Sequence, residues 1–169
     1  QTIYTSFCEH LGFGHYKFIG LNNYIEMFQA PEFWKATWNT VKFCILTVPI
    51  GVILALFVAM LLNTKVKFKG GFRTIFFLPL VCAPAAIAMV WQVIFNGDSG
   101  ILNQLLGADI QWITNPKTAI VAVSIVSIWS SVGYDAVLLL AGLQNIPKTL
   151  YEANSIDGAG KVKQFFTIT

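Results

Sequence analysis

The chain has 169 residues, 56% hydrophobic and only 11% charged, with a formal net charge of +3, whereas an ordinary soluble domain carries about 25% charged residues. That balance excludes a water-soluble globule and a disordered chain, and three scattered cysteines, Cys8, Cys44 and Cys82, exclude a disulfide-stapled secreted module. No basic run is interleaved with stacking aromatics, so nucleic acid is excluded as a partner and a membrane fits in its place.

Residues 1–40 read as an extracytoplasmic segment with an interface helix, in which Glu9, Glu26 and Glu32 stand against Lys17 and Lys35. His10 and His15 have only Cys8 nearby and no third ligand at metal spacing, which predicts no metal site. The glycines at 12, 14 and 20 read as loop flexibility. Three apolar runs follow, at 41–62, 75–95 and 119–143, each reaching the roughly 20 residues needed to cross a hydrocarbon core. The first starts too late and runs too long for a cleavable signal. Unbroken apolar runs lack the alternation of a barrel, so each is expected to span as a helix. The fold class is therefore an all-α membrane protein, a polytopic helical bundle with three spans visible. Because the chain begins with Gln1 and stops at Thr169 with no closing element, it reads as a piece of a longer membrane protein.

Loop charge sets the orientation. Residues 63–74 hold Lys65, Lys67, Lys69 and Arg73 with no acid, whereas residues 96–118 hold Asp98, Asp109 and a single Lys117. The first loop is thus cytoplasmic, and so is the tail 144–169 with Lys148, Lys161 and Lys163. Trp34, Trp38, Trp91 and Trp112 then cluster near the outer boundary, where indole rings favour the interface.

Pro79 and Pro84 in the middle run predict a kink or a break. Prolines are tolerated where neighbouring helices re-satisfy the backbone, or they mark a hinge lining a cavity, and the sequence leaves both open; Pro49 in the first run has the same two readings. Asp135 lies roughly 12 Å from the inner end of the third run at 1.5 Å per residue. An ionised carboxylate there must face protein, water or solute. At about 100° per residue Ser131 and Ser124 fall near it and Ser127 somewhat further round, forming one polar stripe. Such a stripe suits exchange of hydrogen bonds with a polyhydroxylated solute in a passage; equally, small residues let helices approach closely, with Asp135 satisfied by a neighbouring hydroxyl.

After Gly142 the tail has its own helix grammar, with Pro147 suited to a first turn and Gly158 to a stop, which predicts a helix of about ten residues. Ile146, Leu150 and Ala153 share one face at spacings of four and three. A helix this short does not persist alone, so it must dock on its own membrane domain or on a separate cytoplasmic protein.

Glu152-Ala153-Asn154, three residues, Gly158, nine residues and Ile168 resemble the EAA loop of bacterial ABC-importer permeases, with Asn154 in place of that motif's second alanine. Phe18-Ile-Gly-Leu-Asn-Asn-Tyr24, Trp38-Asn-Thr40, Phe72-Arg-Thr-Ile-Phe-Phe-Leu-Pro79 and Leu140-Ala-Gly-Leu-Gln-Asn-Ile-Pro147 are similar to the carbohydrate-uptake members, so the likeness covers nearly the whole chain. The resemblance implies the type-1 ABC importer transmembrane fold, with about six spans in the whole subunit, of which this chain would supply the second to fourth. It implies a second homologous permease subunit, an extracytoplasmic solute-binding protein and an ATP-binding subunit as partners in the bacterial cytoplasmic membrane. It also implies that Glu152, Ala153, Asp157 and Gly158 dock the coupling helix on the ATPase, which holds the ATP and Mg, and Leu150 joins them from its place on the helix face beside Ala153; this chain needs no cofactor of its own.

Enzyme chemistry finds no support in the residues. There is no phosphate-cradling glycine loop followed by lysine, and Asp135 has no second catalytic group, which weakens an intramembrane enzyme. A passive channel using Asp135 would want a continuous pore-lining pattern and no docking loop.

Overall fold

The computed structural model describes residues 1–64 and 69–169 and divides into two compact units, Gln1–Cys44 and Ile45–Thr169. Lys65 and Lys67 of the basic loop lie outside the described residues. The chain is mostly helical, the expected class, with one small hairpin among the described residues.

In the first unit, α1 (Thr2–Thr5) leads into strands β1 (Cys8–His10) and β2 (Tyr16–Phe18), followed by α2 (Asn22–Gln29). The strands pair antiparallel with Glu9 opposite Lys17, an opposite-charge cross-strand pair. Phe7 lies 6.5 Å from the Phe18 ring and 5.5 Å from Tyr24. The Ser6 and Tyr24 hydroxyls are 2.7 Å apart, and the Asn23 amide donates to the carbonyls of Ser6 and Cys8 at 2.9 and 3.0 Å. The stretch Phe18–Tyr24 is thus what docks the hairpin on α2. His10 is engaged within the hairpin, its Nδ1 accepting from the Gly12 N–H and its ring edge-on to Tyr16.

α3 (Pro31–Asn63) begins well upstream of the apolar run at 41–62 and passes through Pro49 without a break. Its buried residues Gly51, Ala55, Val58, Ala59 and Leu62 recur at helical spacing and form a single stripe. α7 (Pro116–Gln144) starts where the Asn115 side chain accepts the Lys117 backbone N–H at 3.0 Å, with Pro116 in the first turn. Ala55, Val58 and Leu62 of α3 meet Val132 and Ala136 of α7 in the core, with Phe76, Leu139 and Leu140 packed against it. Ala55 and Ala136 are the most completely buried of these, as close packing requires where lipid tails are as apolar as leucine.

The middle run is not one straight helix. It comprises α4 (Lys69–Val81) and α5 (Pro84–Ile94), and the stretches Thr74–Val81 and Pro84–Ile94 meet at 109°. Ala83 is extended, with φ −62° and ψ 129°, because a residue preceding proline is pushed out of the helical region. At 1.5 Å per residue the eleven-residue α5 is roughly 16 Å long, about half a hydrocarbon core. Within its last turn Trp91 stacks on Phe95, just past the helix end, at 5.1 Å and meets Trp129 of α7 edge-on at 5.6 Å.

The loop that follows carries α6 (Ile101–Leu106) and is organised around buried Asn103. The Asn103 amide donates to the carbonyls of Gly97 and Ile110, and its oxygen accepts the Trp112 indole N–H at 2.7 Å. Trp112 is therefore fixed by the loop as well as suited to the interface. A cavity of about 620 Å³ lies beside it, edged by Gln92, Asn96, Asp98, Gln111 and Thr114.

α4 approaches α7 closely. A Cβ added to Gly133 would collide with the backbone carbonyl of Phe76. We expect Gly133→Ala to lower stability by about 1–3 kcal/mol, read as a fall in the unfolding midpoint of the purified protein in detergent. Gly142→Ala, where an added Cβ meets nothing within 4 Å, should stay within about 0.5 kcal/mol. Equal midpoints for the two variants would contradict the close-approach account.

Candidate functional site

The tail folds into two short helices, α8 (Lys148–Ile156) and α9 (Lys161–Ile168). α7 ends at Gln144, and Pro147 stands as the extended N-cap of α8, one position ahead of its first turn. Ile146 therefore lies in the connection and does not extend the stripe of Leu150 and Ala153. The residue before Pro147 is disfavoured in helical conformation, so helical spacing cannot be counted back through it.

The far end of α8 closes in a Schellman turn. The Ala159 N–H bonds to the Asn154 carbonyl at 3.0 Å and the Gly158 N–H to that of Ser155 at 3.1 Å. Gly158 has φ +74°, a left-handed conformation that glycine adopts without a Cβ penalty. Ala159 is buried within the turn. Gly160 then caps α9, and the chain doubles back on itself.

One side of α8 is taken up by α9. The Asn154 amide donates to Thr167 Oγ1 and the Gln164 amide to Ser155 Oγ, both at 2.8 Å, while the Tyr151 and Thr169 hydroxyls are 3.1 Å apart. At about 100° per residue, Glu152, Ala153, Ile156 and Asp157 fall on the opposite side, with Leu150 at its edge. All five are exposed, Ile156 at 86% and Leu150 at 51%. The structure thus brings Glu152, Ala153 and Asp157 together on one face, adds Ile156 to them, and leaves Gly158 in the turn. An exposed apolar pair rimmed by two carboxylates is a surface for a partner with an apolar floor and basic edges. Ile156 is legible in hindsight from its spacing of three from Ala153.

In α7, Asp135, Ser131 and Ser127 are half-buried, whereas Ser124 is 3% exposed and sits in the packing face with Ala122, Ile128 and Val132. Its hydroxyl donates to the Ile120 carbonyl at 2.8 Å, and that of Ser131 to Ile128 at 3.4 Å. Ser124 and Asp135 therefore differ in burial despite their calculated proximity in angle. Among the described residues no group of three or more His, Cys, Asp or Glu side chains is arranged to hold a metal ion.

Residues 48–169 match the protein family described as the binding-protein-dependent transport system inner membrane component. The chain is 42% identical to the probable ABC transporter permease protein YurN of Bacillus subtilis (strain 168), over 90% of this chain and 55% of that one. It is 36% identical to the sulfoquinovosyl glycerol transport system permease protein SmoG of Agrobacterium fabrum, over 90% of this chain and 51% of the relative. The chain spans about half the length of the curated relatives it matches. Its fold is similar to a chain in the crystal structure of a bacterial ABC transporter involved in the import of the acidic polysaccharide alginate. That match has TM-score 0.74 and 25% identity, covering 89% of this chain and 55% of that one.

Proposed function

The chain belongs to the family of binding-protein-dependent transport system inner membrane components, and on that premise we propose that it is part of the permease subunit of an ATP-driven ABC importer. The solute it moves across the bacterial cytoplasmic membrane is a sugar or related polyol, a class supported by the likeness to SmoG, a sulfoquinovosyl glycerol transport system permease protein. The partners are an ATP-binding subunit that holds ATP and Mg, a second homologous permease subunit and an extracytoplasmic solute-binding protein. No hydrolytic step is assigned to this chain.

The observation that carries this reading is the exposed face of α8, where Leu150 and Ile156 lie beside Glu152 and Asp157. A nine-residue helix with uncovered apolar groups, closed by an ordered turn, is a rigid contact for a groove on another protein. It joins α7 through Asn145–Pro147, so that a rigid-body displacement of the partner reaches a membrane helix directly. Asp135, Ser131 and Ser127 are assigned to the passage side of α7, Asp135 as the group that exchanges hydrogen bonds with solute hydroxyls, whereas Ser124, buried in the packing face, is left out of it.

Glu152→Lys is expected to weaken retention of the ATP-binding subunit about tenfold or more by reversing a charge at the contact. Quantitative co-purification of the assembled importer reads this, and full retention overturns the docking role. Asp135→Asn keeps shape and removes charge, so the subunit should assemble normally while the KM for the native solute shifts several-fold. Unchanged uptake kinetics would leave Asp135 as a packing residue.

A further inference from the structure

Neither α8 nor α9 is long enough to persist alone. Leu150, Ile156, Val162 and Phe166 are at least half exposed, Tyr151, Phe165 and Ile168 are half-buried, and Ala159 in the turn is buried. Side-chain hydrogen bonds between the two helices add a fixed register. Thr167 Oγ1 donates its own proton to the Lys163 carbonyl at 2.8 Å and turns a lone pair toward the Asn154 amide. Ser155 Oγ donates to the Tyr151 carbonyl at 2.8 Å and accepts from the Gln164 amide, which also reaches the Ala159 carbonyl at 3.1 Å. Each hydroxyl is thus oriented by its own helix and presents an acceptor to an amide of the other. Two bonds from neighbouring residues of α8 to residues three apart on α9 fix both rotation and sliding.

We infer that these bonds form a polar staple that makes α8 and α9 move as one body, with Asn154 and Gln164 as positioning residues for force transmission through the coupling loop. The inference rests on the coupling role proposed above and concerns the face of α8 turned away from the partner. Asn154 occupies the position where the EAA motif it resembles carries alanine, a residue that cannot make this bond. A stapled pair delivers a displacement of the docked face to α7; an unstapled α8 rotates under the same displacement and dissipates it.

The test uses the complete importer with its ATP-binding subunits in proteoliposomes, reading ATP hydrolysed per solute imported. The double variant Asn154→Ala/Gln164→Ala is expected to keep the ATP-binding subunit and basal hydrolysis while import per ATP falls about tenfold, the loss set by two hydrogen bonds. Exchanging the first pair, Asn154→Thr with Thr167→Asn, re-forms that bond in the opposite direction and should import with the unaltered ratio. A double variant with unchanged coupling, or one that sheds the ATP-binding subunit, overturns the staple, as does an exchanged pair that imports as poorly as the double variant. A second measurement stands independently of docking: spin labels at Thr149 and Val162, with the three native cysteines replaced by alanine. They should give one narrow distance in the parent and a broadened distribution in the double variant; identical distributions overturn the staple, whereas retention of the ATP-binding subunit by Glu152→Lys overturns only the docking reading.

Discussion

The close approach of α4 to α7 at Gly133 is the contact on which the rest of the larger unit depends. With no Cβ at 133, the Phe76 carbonyl lies where a side chain would otherwise stand, and Val132 and Ala136 of the same helix surface reach Ala55, Val58 and Leu62 of α3. In a bilayer this closeness replaces the hydrophobic drive that would join helices in water. It also ties the broken middle segment to the helix whose inner end continues into α8. One helix, α7, therefore meets α4 at Gly133 and the indole of Trp91 through Trp129 near its midpoint, and leads into the α8–α9 hairpin at its inner end.

The break follows from the same solvent constraint. In hydrocarbon, backbone groups must be satisfied internally, so a helix is interrupted only where something forces it. Pro84 forces it here by excluding its predecessor from helical conformation, and the chain resumes as α5 with proline in its first turn. Pro79, inside α4, and Pro49, inside α3, do not stop their helices. The difference lies in the extended residue before Pro84 rather than in proline content.

Much of this was legible in the residues because the signals are local. The apolar runs at 41–62 and 119–143 announce the two long helices that contain them, and Pro147 and Gly158 bracket α8 through backbone preferences that need no tertiary partner. What was not legible depends on distance in sequence. Pro84 announces an interruption, but the angle of 109° between Thr74–Val81 and Pro84–Ile94 is not written in it. Asn103 reads as an ordinary loop asparagine until three partners from Gly97 to Trp112 close around it. α9 is amphipathic by itself, but nothing in its residues says that it folds back on α8, and Asn154 reads as a mere departure from a motif until Thr167 stands beside it. Ile146 was assigned to the α8 stripe by counting through a proline, which the backbone does not permit.

The account rests on the α8 face being held by a nucleotide-binding partner on the cytoplasmic side. The most direct test places a photo-reactive amino acid at Ile156, the most exposed apolar residue of that face, in the full subunit expressed with its importer partners in native membranes. Illumination is predicted to cross-link this position to the ATP-binding subunit, while the same probe at Phe166 on α9 gives little product. Cross-links from Ile156 only to the subunit's own helices or to lipid would contradict the account.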